Sequence, residues 1–221
     1  MIVAIDGPAA SGKSTTARKV AETLGWLYLD TGAMYRAVTV KVLQNNIGLD
    51  DEAGIGKTAE SVDLKLKPGK QGIRIFLDGD EVTEAIRMPE IDKAVGPVCE
   101  VGKVREVMVN LQRQIGNQGN IVAEGRDMGT VVFPNAELKF FMAATLEERA
   151  RRRRKDMEAR GIQVSLNSIR EDIENRDKRD RSRANSPLKK AEDAFEIDTT
   201  KMKVDDQVNF VISHIQKLGG S

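Results

Sequence analysis

The sequence has one cysteine, Cys99, and one histidine, His214, in 221 residues. A lone thiol closes no intrachain bridge, and there is no paired Cys and His at zinc-ligand spacing, so a disulfide scaffold and a zinc module are both excluded as the source of the fold. Aromatic residues are only 4% of the chain. No apolar run approaches the roughly 20 residues of a membrane span, and MIVAIDG opens as a strand with no charged leader before an apolar core. A reducing, cytoplasmic setting is the expectation. There is also no net charge to speak of: 35 Lys and Arg stand against 34 Asp and Glu. A globally polybasic packing protein is therefore excluded. What the chain does have is length enough to bury a core unaided.

Ile2–Ile5, Trp26–Leu29 and Ile121–Ala123 are continuous apolar runs, and Leu138–Met142 and Phe195–Ile197 are apolar runs broken only by Lys139 and Glu196. Continuous runs mark strands covered on both faces, the habit of a parallel sheet flanked by helices. Between them, Ala17, Val20, Ala21 and Leu24 recur at helical spacing, as do Val101, Val104, Met108, Leu111 and Ile115, then Leu166, Ile169 and Ile173, and finally Val208, Val211, Ile212 and Ile215. The fold class is α/β. One stretch differs: Val62, Leu64 and Leu66, then Ile73, Ile75 and Leu77, alternate with period two on either side of 68–72, which predicts a small antiparallel insert. Residues 219–221 read as a frayed tail, and no internal repeat is present. Cys99, His214 and Trp26 read as packing residues.

Charge is unevenly placed. From Arg149 to Lys190 there are fifteen Lys and Arg against seven Asp and Glu, so the rest of the chain is acidic.

Gly7-Pro8-Ala9-Ala10-Ser11-Gly12-Lys13-Ser14 matches G-x-x-x-x-G-K-[ST] directly after a predicted strand and before a predicted helix. Such a loop turns successive backbone N–H groups on one phosphate, and the helix N-terminus adds its positive end. Lys13 would reach the β and γ phosphates, and the Ser14 hydroxyl would coordinate Mg2+. Thr15 completes the cradle. No Asn-Lys-x-Asp guanine reader is present, so transfer from a nucleoside triphosphate to a small acceptor gains by elimination. Arg36, Arg105 and Arg126 stand where a second anion could be gripped, and Arg126, Asp127 and the glycine-rich loop all fall beyond the carboxyl ends of strands, where open α/β sheets bind ligands. Each arginine taken singly reads more often as a surface charge or a salt-bridge partner. Arg176, Asp180 and Arg183 share one face at i, i+4, i+7, and Asp177 with Arg181 offers a further pair; spacing alone fits a solvated helix laced by ion pairs.

Five segments in order, at 6–14, 29–36 (Leu-Asp-Thr-Gly-Ala-Met-Tyr-Arg), 77–83 (Leu-Asp-Gly-Asp-Glu-Val-Thr), 125–134 (Gly-Arg-Asp-Met-Gly-Thr-Val-Val-Phe-Pro) and 176–183 (Arg-Asp-Lys-Arg-Asp-Arg-Ser-Arg), resemble the bacterial cytidylate kinases over essentially the whole chain. The resemblance implies a P-loop nucleoside monophosphate kinase passing a phosphoryl group from ATP, with Mg2+, to CMP or dCMP. It implies one domain with a core (1–30, 98–148, 184–221), an acceptor-binding region (31–97) and an arginine-rich lid (149–183). Arg36, Arg126 and Arg183 would hold the acceptor phosphate, Arg176 and Asp180 the sugar hydroxyls, and Arg105 with Asp127 the cytosine edge, with Thr31 lining the same pocket. Lys13, Arg126 and Arg183 would stabilise the transfer, and of the lid arginines 151–154, Arg152 and Arg153 would grip ATP. Relatives place a hydroxyl residue about nine positions before the counterpart of Arg105; Gly96-Pro97 stands there in this chain. A monomer without membrane or nucleic-acid partners is expected. The rivals are a P-loop nucleic-acid binder, against which the absence of aromatics in 149–190 counts, and a kinase of another small acceptor such as AMP or shikimate.

Overall fold

The computed structural model describes residues 1–69, 72–159 and 161–219. Chain order is β1 (Ile2–Asp6), α1 (Lys13–Leu24), β2 (Leu27–Asp30), α2 (Thr31–Gln44), α3 (Glu52–Ser61), β3 (Leu64–Gly69), β4 (Gly72–Leu77), β5 (Asp80–Glu81), α4 (Pro89–Glu100), α5 (Gly102–Gly116), β6 (Ile121–Gly125), β7 (Leu138–Ala143), α6 (Leu146–Glu158), α7 (Leu166–Ser182), β8 (Phe195–Asp198) and α8 (Val204–Gly219). A π-type turn, Met128–Val132, follows β6. The chain divides into two compact units, residues 1–28 with 119–221, and residues 29–118. The expected core segment 98–148 is thus cut at Gln118, its first part lying in the second unit.

All five apolar runs are strands, and they form one parallel sheet in the order β2-β6-β1-β7-β8. Central β1 pairs with β6 from Ile2 opposite Ile121 to Asp6 opposite Gly125, and with β7 on its other side. The loops leaving β1 and β6 therefore emerge side by side at the carboxyl edge of the sheet. Val3 and Ile5 of β1, Val122 of β6 and Phe140 and Met142 of β7 pack with Ala17 and Val20 of α1 and Val211 and Ile215 of α8 in one core. His214 lies in an aromatic group with Phe140, Phe195 and Phe210 and bonds the Phe210 carbonyl through Nδ1 at 2.8 Å, and Trp26 packs against the same core. A smaller core of Ala150, Ile169 and Ile173 joins α6 to α7.

In the second unit, the period-two stretch is a three-stranded antiparallel sheet, β3-β4-β5. Leu64 faces Leu77 and Leu66 faces Ile75 across β3 and β4. Of the intervening turn, residues 70 and 71 lie outside the described residues, as do 220 and 221 of the expected tail. Cys99 is partly buried in the last turn of α4, and Pro97 sits inside that helix.

Candidate active site

The loop between β1 and α1 takes its shape from two glycines. Gly12, the N-cap of α1, has φ 95°, a left-handed conformation that favours glycine, and a Cβ on Gly7 would meet the Met142 carbonyl oxygen at 2.3 Å. Lys13, buried, folds back over this loop: its Nζ donates to the Pro8 carbonyl at 3.2 Å and lies 3.8 Å from Glu124 Oε2. Glu124, at the end of β6, accepts from the Tyr28 hydroxyl at 2.9 Å. It belongs to none of the sequence motifs. Its signal is positional: it is the acidic penultimate residue of a buried strand beside the strand that carries the glycine-rich loop.

Ser14 is exposed in the first turn of α1. Among the described residues no group of three or more His, Cys, Asp or Glu is arranged to hold a metal ion. The exposed Ser14 hydroxyl beside Lys13 is a hard oxygen donor of the type a magnesium ion takes.

The basic segment meets the loop through Arg152, one of the expected pair, and through Arg149, which was not expected there. Arg149 donates to the Ala9 carbonyl at 3.3 Å and Arg152 to the Ser11 carbonyl at 3.2 Å. Arg152 also binds the Thr199 carbonyl at 2.6 Å and Glu148 at 3.0 Å. Arg149 was not among the expected phosphate arginines. It lies one helical turn before the Arg152–Arg153 pair, and that spacing could have found it. Arg151 and Arg154 face solvent beside Glu148 and Glu158.

Beyond β6, Arg126 donates from Nε to Asp180 Oδ2 at 2.8 Å, and Arg183 Nη2 lies 3.7 Å from Asp180 Oδ1. Burial works against the Asp180 carboxylate, but Arg126, Arg176 and Arg183 outweigh it and hold its carboxyl below the usual range. Burial likewise opposes the Arg126 charge, and Asp180, Glu124 and Asp177 overcome it and keep the guanidinium firmly cationic. The Arg183 side chain is only 9% exposed, yet its Nε and Nη2 make no hydrogen bond. The single helical face expected for Arg176, Asp180 and Arg183 holds only for the first two, because α7 ends at Ser182 and Arg183 has extended backbone. Asp177 does not pair with Arg181: it turns inward to Arg149 Nη2 at 2.7 Å, because the core-facing side of α7 needs a cation beside a buried carboxylate. Buried Asp127 heads the π-type turn, its carbonyl accepting from Val131 and Val132 at 2.9 and 3.1 Å.

In the second unit, Thr31 opens α2, which Asp30 caps by accepting the Ala33 N–H at 2.9 Å. Arg36 on α2 pairs with Asp92 of α4 and donates to the Ile86 carbonyl. Arg105 is buried on α5, donating to the Cys99 carbonyl at 3.4 Å with its guanidinium 5.4 Å from the Tyr35 ring centre.

The structure thus gathers the glycine-rich loop, Lys13, Glu124, Arg126, Asp127, Asp180 and Arg183 within the first unit, and Thr31, Arg36 and Arg105 within the second. A protein named Cytidylate kinase from Carboxydothermus hydrogenoformans is 50% identical over 208 residues, 94% of this chain and 94% of that protein. One of the same name from Bacillus subtilis is 45% identical over 215 residues, 97% of this chain and 96% of that protein. A solved structure of an uncharacterized protein from Eubacterium ventriosum ATCC 27560 shares the fold, with a TM-score of 0.53 at 16% identity over 97% of this chain and 98% of that one. The family model described as Cytidylate kinase matches residues 3–217, and the chain belongs to the cytidylate kinase family.

Proposed function

We propose that the chain transfers the γ-phosphoryl group of ATP, with Mg2+, to CMP or dCMP, giving ADP and CDP or dCDP, as a monomer in the cytoplasm. The observation that carries this reading is the Arg126–Asp180–Arg183 group: two guanidiniums share one carboxylate, and Arg183 keeps buried donors unspent. A phosphate monoester supplies acceptor oxygens for such donors, and charge-assisted bonds of that kind are the strong ones. No helix among the described residues is long and apolar enough to cross a membrane.

Phosphoryl transfer asks little proton chemistry of a protein and much positioning. The backbone N–H groups of the glycine-rich loop, Pro8 having none, and Lys13 hold the donor phosphates, and Lys13 is placed to follow the charge that develops on the transferred group. Ser14 would hold a magnesium ion together with the phosphates, and that ion would supply charge neutralisation at the same oxygens. Arg36, Arg126 and Arg183 bind the acceptor phosphate and aim one oxygen in line. Arg176 and Asp180 take the sugar hydroxyls, and Thr31 lines the pocket. Cytosine shows acceptors at O2 and N3 and a donor at its amino group, which suits Arg105 as donor and Asp127 as acceptor; uracil would turn a carbonyl on Asp127.

A coupled assay of ADP release with ATP, magnesium and CMP tests the activity, and no CMP-dependent release would overturn it. Asp127→Ala should lower kcat/KM for CMP by about 10- to 100-fold and leave UMP nearly unchanged. Equal losses on both bases would remove Asp127 from the base edge.

A further inference from the structure

Asp6 carries no role in the reaction above, yet it is a carboxylate only 4% exposed at the junction of β1 and the glycine-rich loop. It stands in register with Gly125, the last residue of β6. Its Oδ1 accepts the Met128 N–H and its Oδ2 the Gly129 N–H, each at 2.8 Å. These amides open the π-type turn and so belong to the N–H groups that a helical turn leaves without an internal partner. The Asp127 carbonyl is tied on its other side by Val131 and Val132. The main chain of Asp127 is therefore fixed from both directions, and the residue that fixes one of them lies 121 positions earlier in the sequence.

The residue types at both ends fit this contact. Two consecutive amides match the two oxygens of one carboxylate, whereas an amide side chain would offer one acceptor and turn its NH2 on the other N–H. On the facing side, a Cβ at Gly129 would lie 3.1 Å from Lys139 Cδ and 3.5 Å from Asp6 Oδ2, so glycine lets this amide come close. This accounts for the glycine in Gly-Arg-Asp-Met-Gly-Thr.

We propose that Asp6 is a positioning residue for base selection: by holding the amides of Met128 and Gly129 it sets the main chain that presents Asp127 and Arg126, so cytosine preference depends on a side chain that touches neither nucleotide. This rests on the reading that Asp127 meets the base. A side chain that merely stabilised the fold would slow every substrate alike. A positioning residue changes acceptor KM and the ratio between bases.

The test compares wild type, Asp6→Asn and Asp6→Ala in steady-state kinetics with CMP, UMP and ATP, together with hydrogen exchange at the Met128 and Gly129 amides. Both variants should raise KM for CMP about tenfold and cut the CMP-to-UMP ratio of kcat/KM about fivefold, with KM for ATP within about threefold of wild type. Both amides should lose protection in Asp6→Ala. A retained base ratio, a KM rise confined to ATP, or unchanged amide exchange overturns the proposal. If Asp6→Ala fails to fold, Asp6→Asn keeps one acceptor and reads the same ratio. A wild-type chain inactive on CMP defeats the functional reading itself, while an active wild type with an unaltered ratio in the variants defeats only the role of Asp6.

Discussion

Arg183 combines burial with hydrogen-bond donors that the protein does not use. Keeping such donors out of water costs about 1–3 kcal/mol, so the residue is expensive to the fold and its return comes in binding. Arg183→Ala should lower kcat/KM by about 100-fold or more for CMP and UMP alike, because it removes charge from the shared phosphate, with a melting temperature equal to wild type or higher. A large fall in melting temperature with little change in rate would make it a scaffold residue acting through Asp180. Asp6 makes the opposite kind of prediction. Burial pushes its carboxyl from 3.8 up to about 7, the Gly129 and Met128 amides pulling against it, with Asp127 adding to the rise and Arg126 reducing it. A raised carboxyl binds its proton more tightly folded than unfolded, so its contribution to stability is full below pH 3.8, falls as pH climbs, and levels off near 7. Melting curves at several pH values should show wild type losing ground to Asp6→Asn between about pH 4 and 7. A gap that widens in favour of wild type over that window would mean the two amides outweigh burial.

Among the elements, β1 and β6 were readable because each is covered on both faces, which leaves an uninterrupted apolar run, whereas β8 at the sheet edge exposes Phe195 and Glu196 and shows only a broken one. Helix α2 gave no comparable signal: Met34, Tyr35, Ala37, Val38, Val40 and Val42 are buried around most of its circumference, so no stripe of period 3.6 survives. Gly96 and Pro97 hid α4, and four consecutive arginines hid α6, whose buried residues are Arg149 and Ala150. The glycine-rich loop was legible because its chemistry is local to eight residues. The Arg126–Asp180 bond joins residues 54 apart, and only the packing of α7 reveals it. The same packing makes the Arg149–Asp177 pair, 7% and 10% exposed, a buried polar tie between α6 and α7 beside a small apolar core, with Arg170–Glu147 an exposed one. Arg149→Ala strands the Asp177 carboxylate in that core and should cost about 3–5 kcal/mol in urea unfolding, whereas Arg149→Met with Asp177→Leu should recover most of the loss. A cost below about 1 kcal/mol for the single change would show that water reaches the carboxylate.

At the scale of the molecule, near-neutral total charge conceals a basic segment, 149–190, and the decisive question is what that charge is for. Much of it is spent internally: Arg149 on Asp177, Arg152 on Glu148, Arg154 on Glu158, Arg170 on Glu147. With its cations partly neutralised and no aromatic for a base to stack on, the segment is poorly made to follow a nucleic-acid backbone, which needs unpaired charge in rows. It suits compact anions gripped at a few points. A ligand bound by the folded chain alone stabilises it by mass action, about 2.7 kcal/mol at a hundred times its Kd, which for a chain of this size raises the melting temperature by about 5–11 °C. CMP and dCMP should give shifts of that order near saturation, UMP at the same concentration a clearly smaller one because its carbonyl faces Asp127, and AMP almost none. A single-stranded oligonucleotide in about 0.15 M salt should give none, because what attraction the unpaired arginines provide is screened beyond roughly 8 Å. A shift with the oligonucleotide and none with CMP would transfer the basic segment from a nucleotide clasp to a nucleic-acid surface.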